Sequence, residues 1–149
     1  MLTLAAIVLA VPLASFAAMG WWSHDHGDAI GLVDGALRAC GSAPNCVCSE
    51  PRHAGDETHH IDAIALAGDA GGAMAQAEQA VLGLGGTIRE VGDGYLHATF
   101  SSRVFRFVDD VEIRLDGDQL QLRSASRVGY SDLGVNRARS EALRAALSP

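Results

Sequence analysis

VFRFVDDVEIRLDGDQLQLRSASR, residues 104–127, reads as two strands of alternating polarity joined at Gly117-Asp118. A Gly-Asp pair between alternating runs suits a two-residue hairpin loop, and such a loop fixes the register. Leu115 then faces Leu120, Ile113 faces Leu122, Val111 faces Ser124 and Asp109 faces Ser126. Successive side chains on a strand point to opposite faces, so Asp109 and Asp110 are parted by the sheet and cannot act as a catalytic pair. Asp109 joins Ser124 and Ser126 at the polar end of an apolar inner face. Asp110 and Glu112 lie on the outer face opposite Ala125 and Arg123.

Upstream, Thr87–Val91, a Gly92-Asp93-Gly94 turn and Tyr95–Ser101 carry the same signals, which makes four strands in hairpin order and hence an antiparallel meander. If Ser102-Arg103 also closes a tight turn, Phe100 faces Phe105 and Ala98 faces Phe107. Ile61–Leu66 is a further short strand. Helical spacing of apolar residues predicts helices over Asp28–Cys40, from Ala70 to Leu84 ending at Gly83, Gly85 and Gly86, and from Ser131 or Asp132 through Ala146. Ala43–His59 holds two Pro and no periodicity, and reads as a surface loop. The expected fold is α+β: a two-layer sandwich with an antiparallel sheet of four to five strands, helices on one face and an N-terminal hydrophobic helix. Residues 1–22 form a membrane anchor or signal peptide, and 23–149 a single domain.

Leu2–Trp22 contains no charge and ends in Trp21-Trp22. About 20 helical residues span a hydrocarbon core of about 30 Å, and Trp is common at headgroup level, which favours a retained anchor. The competing reading is a cleaved leader with Ser15-Phe16-Ala17 as its cleavage site, although no Lys or Arg precedes the apolar run. Either implies export to the extracytoplasmic side of the cell envelope. Cysteine usage agrees with an oxidising compartment. Cys40 and Cys46 enclose Gly41-Ser42-Ala43-Pro44-Asn45, whose turn character brings the sulfurs together, and such a disulfide is worth roughly 2 kcal/mol. Cys48 is left free, competes for Cys40, or links to another chain.

All eleven basic residues are Arg, nine of them from Arg89 onward and matched there by nine acids, while the chain carries a net charge of −7. That balance repels phosphate backbones and argues against nucleic-acid partners. Cys46, Cys48 and His53 supply metal-ligating atoms without the paired short spacings of zinc modules, so no metal is expected. No nucleotide fingerprint or nucleophile elbow occurs, and no cofactor is implied.

What is left is a polar joint: the inner-face cluster feeding a loop and the last helix. Asp109, Ser124, Ser126, Arg127, Tyr130, Ser131, Asp132, Asn136 and Arg137, with Asp110 on the reverse face, are the candidate site residues. Buried polar groups are ordinarily satisfied, so a structural joint is the simpler reading. The sharper one is an anion receptor in which amides at the helix start and Arg127, Arg137 and Arg139 hold a phosphate or carboxylate. On the outer face, Asp110 and Glu112 are separated by about 7 Å and could serve as acid and base. Pairing of Glu112 with Arg123 on a solvated face accounts for the same residues.

The ordered motifs Leu37-x-x-Cys40, Pro44-Asn45-Cys46-Val47, Phe105–Asp110 and Arg123–Arg127-x-Gly129-Tyr130-Ser131-Asp132-Leu133-Gly134-x-Asn136-Arg137 closely resemble the bacterial and plastid family catalogued as domain of unknown function 1499, from about Leu32 to Leu147. The resemblance implies an exported or membrane-anchored α+β domain without an assigned activity. Cys48 departs from a pattern that usually has Ser there. The resulting expectation is a membrane-tethered extracytoplasmic binding or accessory module for a small anionic ligand or a partner protein. The alternatives are a hydrolase with Asp109 or Asp110 as base, and a structural subunit of a membrane complex.

Overall fold

A computed structural model describes residues 2–27, 30–66 and 70–147, with the side chains of residues 2–10 left out. In chain order the elements are α1 (Leu2–Trp22), β1 (Cys46–Cys48), β2 (Ile64–Ala65), α2 (Ala73–Gly83), β3 (Thr87–Gly92), β4 (Tyr95–Ser101), β5 (Val108–Asp116), β6 (Gln119–Ser126) and α3 (Val135–Leu147). The sheet is antiparallel, in the order β1-β6-β5-β4-β3, with β2 also paired to β6. The fold is α+β, as expected, with six strands in the sheet. The sixth, β1, lies inside the stretch read as a loop. Its three residues give too short a pattern to detect.

The final hairpin has the predicted register throughout, from Asp109 opposite Ser126 to Leu115 opposite Leu120. The preceding one does not. Phe100 pairs with Asp109 and Ala98 with Val111, and residues 102–107 form a longer connection in which Arg106 takes a positive φ. Phe105 and Phe107 leave the sheet to pack on Phe16 of α1, with ring centroids 5.3 and 6.5 Å away. Burial against a helix outcompeted extension of the ladder. At that crossing Gly20 lies directly against the Phe105 carbonyl, where any side chain would collide.

Leu96, Ala98, Phe100, Val111, Ile113, Leu120 and Leu122 form the inner face and pack on Ala77 and Val81 of α2 and Leu143 of α3. No helix forms in the described part of the predicted Asp28–Cys40 segment, residues 30–40; Asp28 and Ala29 lie outside the described residues. Asp34 and Gly35 both take positive φ, turning the chain so that Val33 bridges to Ala36. Two consecutive left-handed residues cannot continue a right-handed helix. The apolar residues of this segment instead cover the outer face of the sheet, where Leu37, Ile30 and Cys40 pack with Cys48 and Tyr95.

Cys40 and Cys46 are joined by a disulfide, and Cys48 is a buried free cysteine. Burial pushes the Cys48 thiol up, so it stays protonated. Among the described residues no helix is long and apolar enough to cross a membrane. The side chains of the first half of the predicted anchor lie outside the description.

Candidate functional site

The predicted joint exists, but the sheet divides it in two. On the inner face Asn136, at the start of α3, is fully engaged. Its Oδ1 accepts from Ser124 Oγ and Arg139, each at 2.6 Å, while its Nδ2 donates to Ser126 Oγ at 2.9 Å and to the Asn45 carbonyl at 3.0 Å. Asp109 is held by Arg139 at 2.7 Å, and the same guanidinium stacks on Phe100. Arg137, a candidate residue of the same joint, projects elsewhere and donates to the carbonyls of Glu57, Thr58 and His60. Helical geometry explains the exchange. Asn136, Arg139, Ser140 and Leu143 follow i, i+3, i+4, i+7 spacing on the face toward the sheet, and Arg137 lies outside that stripe.

Asp132 caps α3 as predicted, accepting from the Gly134 amide at 3.0 Å and the Asn136 amide at 2.7 Å. Ser131 Oγ accepts from Leu133 N–H. The start of the helix is therefore served by its own side chains.

Arg127 crosses to the outer face. It grips Asp110 through two bonds of 2.7 and 2.8 Å and donates to the His24 carbonyl just after α1. His97 lies 2.8 Å from the same carboxylate. Burial raises the Asp110 pKa, but hydrogen bonds from His97 and Arg127 outweigh it and hold the carboxyl below the usual range. A general base needs the opposite shift, so the geometry gives no support to Asp110 in a hydrolytic role. Because the folded-state value lies below the unfolded one, the stabilisation is complete above the unfolded carboxyl pKa and drains away as pH falls toward the folded value. Asp110→Asn is expected to cost about 2 kcal/mol at neutral pH. The deficit should shrink in acid below about pH 4, as urea unfolding of both proteins across pH would measure.

The outer face departs furthest from expectation. Glu112 pairs with Arg123 as predicted, at 3.0 Å, yet the pair is sealed from solvent: Glu112 is 0% and Arg123 1% exposed. The cover is the non-helical segment 30–40, whose Gly31 amide donates to Glu112 at 2.9 Å, beside a 2.7 Å bond from Tyr95. Glu50, which no sequence signal singled out, is a second buried hub. It accepts from the Leu37 amide and takes two bonds from Arg114. Burial raises the Glu50 pKa, but these donors prevail and hold the carboxyl low.

One groove adjoins the inner cluster. It encloses about 390 Å³ between α1, the 102–107 connection and the loop 128–135. Phe16, Met19, Phe105, Phe107, Val128 and Leu133 line it, together with the polar residues Ser102, Asp109, Ser126, Ser131 and Asp132. On the same loop Leu133 is 93% and Tyr130 76% exposed. Among the described residues no three His, Cys, Asp or Glu converge as a metal would require.

These features define an α+β domain with an apolar helix packed at its edge, one disulfide and ion pairs buried on both faces of its sheet. The family model described as protein of unknown function (DUF1499) matches residues 36–147, and the chain belongs to that family. No curated protein and no solved structure matches it.

Proposed function

We propose that this chain is a membrane-tethered, extracytoplasmic binding or accessory module, and that its binding surface is the groove between α1 and the 128–135 loop. The observation that carries this reading is the make-up of that groove, whose lining is predominantly aromatic and aliphatic. Arg127, Arg137 and Arg139, the cations expected to hold an anion there, are committed to Asp110, to backbone carbonyls and to Asp109. The occupant that suits such a groove is an apolar chain, such as a lipid acyl tail, rather than a small anion.

The tether rests on the uncharged 21-residue α1 and its terminal Trp pair. Packing of Phe16 on Phe105 and Phe107 favours retention of the helix over cleavage after Ala17. Six helical residues, about 9 Å, separate Phe16 from Trp22, so a membrane-seated α1 would hold the groove and Leu133 near headgroup depth. The disulfide agrees with an oxidising compartment.

Native mass spectrometry of the full chain after detergent exchange is the test. Lipid should be retained by the parent and lost from Leu133→Asp and Phe105→Asp. Equal retention in both variants would remove the groove from consideration, and capture of a protein instead of lipid would favour a partner-binding role.

A further inference from the structure

We propose that the outer face carries a second binding site, independent of the groove, in which Arg38 and Arg52 receive a phosphate group above the buried Arg123. The three belong to separate segments. Arg38 follows Leu37 in the covering segment, Arg52 sits in the short 3-10 turn Pro51–His53, and Arg123 lies in mid-β6. All line one open cavity of about 420 Å³, with Cys40 and Gly41 at its side. The Cys40–Cys46 disulfide ties the covering segment to β1, and β1 pairs Cys46 with Ala125, two residues from Arg123. Arg38 is thereby fixed relative to Arg123.

Not every guanidinium group at the cavity has an ion-pair partner among the described residues. Glu112 pairs with Arg123, and Glu50 and Asp116 both pair with Arg114. Among the described residues Arg38 and Arg52 have no carboxylate partner, and the Arg38 Nε is buried without a hydrogen-bond acceptor. Arg52 acts by charge on Glu50, His53 and Cys48. A buried guanidinium donor left unmet beside a second unpaired cation is costly, and it is the arrangement an anion relieves. Two guanidinium groups without a close ion-pair partner face one cavity, and their forks match the oxygens of a phosphate, which favours a phosphate monoester over a single carboxylate. The cavity has room for an organic group beyond the phosphate. A soluble phosphate ester and the phosphate of a lipid headgroup share this chemistry.

The full chain in detergent would be titrated calorimetrically with inorganic phosphate and with glycerol 3-phosphate. In parallel it would be floated on vesicles of phosphatidic acid or of phosphatidylcholine. Saturable binding of the soluble phosphates assigns a free ester; flotation only on phosphatidic acid, without soluble binding, assigns the headgroup. In either arm Arg52→Gln, at an exposed position, should weaken binding about tenfold, the loss of one charge-assisted contact. Arg38→Gln should do the same and Arg52→Lys less. Leu133→Asp, in the groove, should leave soluble-phosphate affinity unchanged. Absence of binding in both arms, or binding that survives the Arg38→Gln/Arg52→Gln double variant, overturns the proposal.

Discussion

Glu112→Ala is expected to destabilise the fold by about 3–5 kcal/mol, the usual cost of removing one member of a buried ion pair. The substitution strands three donors at once. Arg123 keeps its charge at a position 1% exposed, Tyr95 loses the acceptor of its hydroxyl, and the Gly31 amide loses the Glu112 carboxylate. Much of that penalty belongs to the groups left behind. Replacing both members, as Glu112→Leu with Arg123→Met, should recover the share due to the stranded guanidinium, while the Tyr95 hydroxyl and the Gly31 amide stay unmet. Guanidinium unfolding of the single and double variants measures the difference. A single variant within about 1 kcal/mol of the parent would show that the covering segment opens to let water reach Arg123.

Asn136→Ala should cost about 3 kcal/mol, because it removes two acceptor and two donor interactions inside a sealed cluster. Ser124, Ser126, Arg139 and the Asn45 carbonyl all lose a partner. Asn45 also donates to the Gly129 carbonyl at 2.6 Å, so the damage reaches the groove loop. Hydrogen exchange should quicken in residues 128–135 of this variant while the β4–β5 ladder stays protected. Asn136→Asp separates the two halves of the network. It retains acceptors for Ser124 and Arg139 but cannot donate to Ser126 or Asn45, and should fall between the parent and Asn136→Ala.

The parts of the fold that were legible are those set by local chemistry. A Gly-Asp turn between alternating strands has one sensible register, and the last hairpin adopts it from end to end. The Ser102-Arg103 turn lacked such chemistry, and the two Phe residues that made its register plausible had a better apolar partner in α1. Residues 30–40 misled for a related reason. Their apolar positions recur at helical spacing because they cover a sheet, while Asp34 and Gly35 set the backbone.

The candidate site was half legible. Alternation placed Asp109 with Ser124 and Ser126, and Glu112 with Arg123, correctly. It could not show that the outer face is covered, since nothing local tells a solvated polar face from a buried one. The density of Tyr, Glu, Gln and Arg in mid-strand was the available clue. Arg139 rather than Arg137 followed from the helical stripe through Asn136 and Leu143. Glu50 and Arg38 sit in irregular backbone and had no periodic signal to betray them.

The two short strands have a further effect through their placement. β1 and β2 lie in line along β6, covering Arg123–Ala125 and Gln119–Leu120, so an incoming peptide finds few free amides there to template on. The opposite margin, β3, breaks register between Ile88 and Glu90 and carries Arg89 and Glu90, features that discourage edge-to-edge polymerisation. Donor-strand addition is thus blocked on one side and handicapped on the other. A macromolecule that engages this protein must come to its faces or to α1, and crowding of many copies need not seed fibrils.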